Sequence, residues 1–242
     1  VNDGLVRLSS NENAFGPSKK AAKAMQSELL NLARYTDATV EVLAQKIAKQ
    51  EGVSADQIII TNGSSPILFG YADWITKNGN KLVTSMATYE GVPRGAEFMG
   101  ADVTYVPLAA DMTFDLDAIE AAVTEDTTAV YVCNPNNPTG TVHTADAIEA
   151  FLKKIPENVL VVLDKAYCEY LTGDQYPDGV ELLARFPNLI VCRTFSKAWG
   201  LAALRVGYSI SSPAIADILN RVRQPFNVDT VALSAGTAVL ED

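Results

Sequence analysis

The chain has 242 residues, 48% hydrophobic and 8% aromatic, enough to bury a sizeable core as one large domain or one and a half. A formal net charge of −10 opposes nucleic acid or an anionic membrane surface as partner, because both select clustered Lys and Arg, and leaves small molecules as the expected ligands. Cys133, Cys168 and Cys192 stand singly, without C-x-x-C spacing, which excludes a disulfide framework and a thiolate zinc site and points to a reducing, cytoplasmic compartment. His143 is the only histidine, so a histidine metal site or a Ser-His-Asp triad is excluded and no metal is expected. Beside Thr144 it reads as an ordinary helix-start residue. No run approaches a membrane span, and residues 1–8 lack a basic flank and an apolar stretch, although a leader cleaved ahead of Val1 would leave no trace.

In chain order, residues 5–17 read as an extended, turn-rich arm, and Pro17-Ser18 opens a helix expected to run to about Arg34. Val40, Leu43, Ala44, Ile47 and Ala48 follow helical spacing up to Gly52. Residues 57–61 form a short buried strand, followed by Gly63-Ser64-Ser65, Pro66 and an apolar helix over 67–74. Strand, Gly-Ser turn and helix make an anion site in which free amides and the positive dipole end converge, or else an ordinary cap built on Ser64 or Ser65. Strands over 81–84, 102–108, 129–133 and 159–163 then alternate with helices over 92–99, 115–123 and 144–155, and two helices over 213–221 and 229–240 close the chain. Fully apolar strands alternating with helices mean an α/β fold, a mostly parallel sheet covered by helices on both faces, whose ligands bind beyond the carboxyl ends of the strands.

Four features fall at such ends: Gly63-Ser64-Ser65, Asn137, Asp164 and Lys197. The apolar run Leu189-Ile190-Val191-Cys192 delivers Thr194 to Lys197 from the sheet, so Lys197 is partly desolvated. Burial and a neighbouring cation both lower an ammonium pKa, and Lys197 therefore reads as a Schiff-base lysine. Arg205 is that cation or, with Thr194 and Ser196, holds a phosphate. Asp164 follows five apolar residues, so its carboxylate needs a cation or hydrogen bonds to stay ionised, a protonated pyridine nitrogen being one such cation and a turn cap the plainer use. Tyr167 and Asn137 are placed to bond a ring oxygen, or else serve packing and a turn.

Asn-Pro-Asn-Asn-Pro-Thr-Gly at 134–140, Asp-Lys-Ala-Tyr at 164–167, and Thr-Phe-Ser-Lys followed by Gly-Leu-Ala-Ala-Leu-Arg-Val-Gly-Tyr within 194–208 resemble the fold-type I pyridoxal-phosphate aminotransferases, most closely the histidinol-phosphate and aromatic branch. The likeness runs from Ser-Asn-Glu-Asn at 10–13 through Arg34-Tyr35 to Pro225-Phe226-Asn227. It implies that pyridoxal 5′-phosphate is held by Lys197 as a Schiff base, that Lys197 then shuttles the proton between substrate Cα and C4′, and that Asp164 pairs with the pyridine nitrogen. By the same resemblance Asn137 and Tyr167 bond the ring oxygen, Tyr89 stacks on the ring, and Gly63, Ser64, Ser65, Thr194, Ser196 and Arg205 hold the phosphate. Tyr35 would reach the phosphate of a neighbouring subunit, implying a homodimer with shared sites, and Asn11 and Asn13 would line the substrate pocket.

Residues 1–35 are thus expected to form an arm and first helix, and 36–242 the cofactor-binding large domain. The family continues past the position of Asp242 into a small domain carrying an arginine for the substrate carboxylate, so that part is expected to be missing. Lys165 stands where the family usually has Glu and is expected to alter packing or surface charge; Pro66, Ala87 and Ala203 are further departures expected to tune the pocket. The expected activity is transfer of an amino group from histidinol phosphate or an aromatic amino acid to a 2-oxo acid. The alternatives are an oxidase, lyase or cyclase on the same scaffold, and an inactive cofactor-binding fragment.

Overall fold

The computed structural model describes residues 8–64, 80–173, 176 and 179–242. The helix expected over 67–74, with Ser65 and Pro66, lies outside the described residues. Helix α1 (Lys19–Glu28) starts at Ser18, whose hydroxyl accepts a hydrogen bond from the Ala21 amide at 3.1 Å, the usual way of satisfying a free first-turn amide. It stops at Glu28, short of the expected Arg34. Leu29, Leu30 and Leu32 are exposed, so the apolar continuation has nothing to pack against among the described residues, and local propensity alone does not hold a helix in water. Helix α2 (Asp37–Glu51) keeps its expected apolar stripe: Leu43, Ile47 and Ala48 are buried, and Val40 and Ala44 pack against the same core.

The remaining described elements are β1 (Ile58–Thr61), β2 (Lys81–Ser85), α3 (Gly91–Phe98), β3 (Asp102–Val106), α4 (Leu116–Ala121), β4 (Thr127–Cys133), α5 (Ala145–Leu152), β5 (Leu160–Asp164), β6 (Leu189–Thr194), β7 (Gly207–Ser211), α6 (Pro213–Val222) and α7 (Thr230–Val239). β3 ends before the expected Leu108, which instead makes an isolated bridge to Phe114; Pro107, lacking an N–H, cannot continue the ladder. His143 precedes the N-cap Thr144 of α5, as expected, and its Nε2 lies 2.9 Å from the Phe114 carbonyl. The three cysteines are unpaired thiols.

The strands form one sheet in the order β1-β7-β6-β5-β4-β2-β3, parallel except for β7, which is antiparallel to both its neighbours. This is the expected mostly parallel α/β sheet. Every residue of β4 and β6 is buried, the mark of strands covered on both faces. β7 itself is an addition to the expected elements. Because it runs backwards, its first residue, Gly207, stands opposite both Thr61 and Thr194, the last residues of β1 and β6. The chain entering β7 therefore reaches the same edge of the sheet that the parallel strands leave.

α2 and α1 both pack on α7, and Leu43 of α2 is fully buried there, 3.2 Å from the place a Cβ would occupy on Gly236. Leu43→Ala should lower stability by roughly 3 kcal/mol, the usual cost of a buried leucine truncation with incomplete collapse, read from the urea midpoint at unchanged m-value.

Candidate functional site

A cavity of about 310 Å³ opens at this edge, lined by residues that follow β1, β4, β5 and β6 and precede β7, together with the amino-terminal arm and Tyr89. Among the expected site residues, Ser64, Tyr89, Asn137, Asp164, Tyr167, Thr194, Ser196, Lys197 and Arg205 all line it. Ser10, Glu12, Cys133, Ala166 and Ala202 line it as well and were not expected.

Asp164 closes β5 at the floor of the cavity and is only 2% exposed. Its Oδ2 accepts a hydrogen bond from the Tyr131 hydroxyl at 2.8 Å and its Oδ1 one from the Ala166 amide at 3.0 Å. Burial raises its pKa, while those two hydrogen bonds, Lys197 and Lys165 act the other way. A buried carboxylate facing an open cavity gains from any cation brought to it, a protonated ring nitrogen included. Tyr131 escaped the sequence reading, where it was one apolar-strand residue among several; the signal that finds it is pleat alternation, which puts Tyr131 on the same face as Cys133, the strand partner of Asp164.

Lys197 is half-buried, and its Nζ donates to the Ser10 carbonyl at 2.8 Å and sits 5.7 Å from the centre of the Tyr167 ring. Its pKa is lowered, first by burial and then by Arg205, with Glu12 and Asp164 opposing. The two causes expected from sequence are the two that act, and a neutral amine at lower pH is a better nucleophile. Asn11 donates to the Tyr167 hydroxyl at 2.9 Å, which leaves the phenol proton available for a ligand; burial pushes that phenol up, so it stays protonated.

At the other side of the cavity the Thr194 hydroxyl donates to Ser196 Oγ at 2.9 Å, and Arg205 Nη1 donates to Ser196 Oγ at 3.3 Å and to the Ala202 carbonyl at 3.0 Å. Two glycines make this cluster possible. A Cβ on Gly63 would lie 2.5 Å from Arg205 Nη2, and one on Gly207 would lie 2.8 Å from the Gly63 carbonyl carbon and 2.9 Å from Ser64 N. Gly63 also has φ +77°, a left-handed conformation that side chains disfavour. The turn after β1 thus closes directly on the start of β7, and hydroxyls, an amide turn and a guanidinium converge as they do around bound phosphates.

The arm lines one side of the cavity with Ser10 and Glu12. Besides the Ser10 and Asn11 contacts, Asn13 Nδ2 donates to the Ala198 carbonyl at 2.8 Å. Tyr35 is elsewhere: it is 81% exposed, stacked on Phe226 with ring centres 4.4 Å apart, and does not line the cavity. Of the two effects expected of Lys165, altered packing and altered surface charge, its position leaves the first: it is fully buried, and its backbone amide donates to the Cys192 carbonyl at 2.8 Å. Ala203 is exposed and Ala87 half-buried, its carbonyl accepting from Asn136 Nδ2 at 2.9 Å. Among the described residues there is no cluster of three metal-ligating side chains, and no helix is long and apolar enough to cross a membrane.

The cavity therefore brings together a buried carboxylate, a half-buried amine and a hydroxyl and guanidinium cluster. Replacing the nearby cation, Arg205→Gln, should move the Lys197 amine titration upward, toward the ordinary lysine range; the pH dependence of reductive methylation at Lys197, located by peptide mapping, measures it.

The family model for aminotransferase class I and II matches residues 3–242. Histidinol-phosphate aminotransferase 2 of Pseudomonas aeruginosa is 49% identical over 98% of this chain and 64% of its own length, and the protein of the same name from Pseudomonas fluorescens Pf-5 is 47% identical over the same shares. The crystal structure of histidinol-phosphate aminotransferase from Sinorhizobium meliloti in complex with pyridoxal-5′-phosphate superposes with a TM-score of 0.91 at 35% identity, over 96% of this chain and 63% of that one. The chain thus spans 64% of the length of the Pseudomonas relatives it matches. A match over residues 3–242, joined to these likenesses, means that the chain belongs to the aminotransferase class I and II family.

Proposed function

We propose that the chain is the cofactor-binding part of a pyridoxal 5′-phosphate-dependent aminotransferase that takes its amino group from histidinol phosphate or an aromatic amino acid and gives it to a 2-oxo acid. The observation that carries the reading is one cavity holding a buried carboxylate, a lysine of lowered pKa and the Thr194, Ser196 and Arg205 cluster. The names of the Pseudomonas relatives and the cofactor in the S. meliloti structure support it. Residues 36–242 would be the large domain, with 1–35 as arm and first helix.

When bound, pyridoxal 5′-phosphate supplies an electron sink for the charge that develops at the substrate Cα. The protein does the rest. Lys197 Nζ would hold the cofactor and would move the proton at the substrate Cα, work for which a lowered pKa suits it. Asp164 would hold the ring nitrogen protonated, Asn137 and Tyr167 would bond the ring oxygen, and Tyr89 would pack on the ring. Gly63, Ser64, Thr194, Ser196 and Arg205 hold the phosphate, with Ser65, outside the described residues, as a further ligand. Asn11 and Asn13 line the substrate side and, with the rest of the arm, exclude water. The Ser10 carbonyl of the arm and the Tyr167 ring orient the Lys197 amine.

Borohydride reduction of the loaded protein followed by peptide mapping should leave a stable adduct on Lys197; an adduct on another residue sinks the assignment. Lys197→Ala should cut transfer to 2-oxoglutarate by at least about 100-fold, the usual worth of a positioned acid–base group. Oxygen uptake or ammonia release in place of transfer would point to the oxidase or lyase chemistry, and a screen of amino donors separates histidinol phosphate from aromatic amino acids.

The protein acts as a homodimer in this reading, with Tyr35 serving the phosphate of the neighbouring subunit. Its exposure and its place outside the lining of its own cavity support that reading. Mixed dimers test it: Tyr35→Ala combined with Lys197→Ala should recover a fraction of the activity that each lacks alone, whereas a tyrosine acting within its own subunit gives no recovery.

A further inference from the structure

We propose that Tyr131 is a positioning residue, whose buried hydroxyl aims the Asp164 carboxylate at the cavity and keeps it ionised there. The proposal rests on the reading of Asp164 as the partner of the cofactor ring nitrogen and adds a residue to that machinery. Its starting point is register. β4 and β5 run parallel with Cys133 opposite Asp164 and Tyr131 opposite Val162, so Tyr131 stands one pleat behind Asp164 on the same face. Its ring is 0% exposed, and its hydroxyl donates to Asp164 Oδ2 at 2.8 Å. A phenylalanine would fill nearly the same volume, so packing gives no reason for the oxygen atom; a buried phenol must find a partner, and this one has found a carboxylate.

The consequence for Asp164 follows from counting donors. Oδ1 is held by the Ala166 amide and Oδ2 by Tyr131, one on each oxygen, so the carboxylate cannot rotate without losing a hydrogen bond in a place that is 2% exposed. Both oxygens keep free lone pairs for a donor coming from the cavity, which Asp164 lines. The ionisable groups that face it are Tyr131 and Cys133 from β4, Lys165 and Tyr167 beyond β5, Lys197 beyond β6, and Cys192, its strand partner in β6, whose thiol burial pushes up and keeps neutral. The Cys133 thiol is raised by burial and stays neutral, so it does not compete for charge. Among the influences that favour the ionised carboxylate, the Tyr131 hydrogen bond comes first, ahead of the Ala166 amide and the two lysines. Its own phenol is held protonated by burial and by that same carboxylate.

The test is the titration of Asp164 itself, which a residue that merely packs would not move. In the full chain without cofactor, carbon-13 labelled at the aspartate carboxyl carbon, the Asp164 signal is identified by its absence in Asp164→Asn. Tyr131→Phe should shift its midpoint upward. A fluorinated tyrosine placed at 131, a stronger donor of nearly the same shape, should shift it downward. Pyridoxal 5′-phosphate affinity, followed by absorbance, should fall roughly tenfold in Tyr131→Phe, about what one hydrogen bond to a charged group supplies. A midpoint that stays put in both replacements, or moves the same way in both, overturns the proposal and leaves the cofactor reading intact. If Asp164→Asn binds the cofactor as tightly as the unaltered chain, the reading of Asp164 falls, and the role given to Tyr131 with it.

Discussion

A carboxylate withdrawn from water at the edge of a sheet is the constraint on which the site depends. Asp164 ends a strand whose other residues are all aliphatic, so the core that holds β5 in the sheet also removes the charge from solvent. That burial is tolerated because the neighbouring strand, the next turn of chain and the lysine beyond β6 each send a donor or a positive charge toward it. The fold thereby stores an unfavourable electrostatic state that a cationic ligand relieves. Binding and stability are in that sense the same problem at this position, and a core optimised only for packing would not contain Asp164.

The second requirement is that an anion-holding cluster form at the same edge, and this comes from one strand running against the others. β7 inserted between β1 and β6 brings Arg205 and Gly207 to the ends of both neighbours. A parallel strand in that place would carry its own amino end to the far side of the sheet. The close approach of the β1 turn leaves no room for a side chain on Gly207, and the Arg205 guanidinium occupies the place of one on Gly63, so residues far apart in sequence depend on each other's geometry.

Much of this was legible beforehand. The apolar runs that became β1, β4, β5 and β6 are long enough and pure enough to read as buried strands, and once they are placed in parallel, Ser64, Asn137, Asp164 and Lys197 fall at one edge by topology alone. β7 carries no apolar run: Val206, Tyr208 and Ile210 alternate with Gly207, Ser209 and Ser211, a pattern that predicts one solvated face, and the burial of Ser209 and Ser211 comes from the neighbouring strands. The length of α1 failed for a different reason, since Leu29, Leu30 and Leu32 look like a helix face but meet no partner among the described residues. Tyr131 and Lys165 show the limit most clearly. A tyrosine in a strand and a lysine after one carry no local sign of whether they face core or solvent, and the register of the sheet decides both.

The contacts that close the cavity join parts of the chain that lie far apart in sequence. Lys197 to Ser10 spans 187 positions, Asn13 to Ala198 spans 185 and Asn11 to Tyr167 spans 156. None of these can form before the sheet between them exists, because closing so long a loop costs entropy that only the assembled core repays. The environment that lowers the lysine pKa is therefore a product of the finished fold. A partly folded chain would hold Lys197 as an ordinary, protonated, unreactive amine, and the reactive group appears only when the first residues of the chain have come to rest against the last strands.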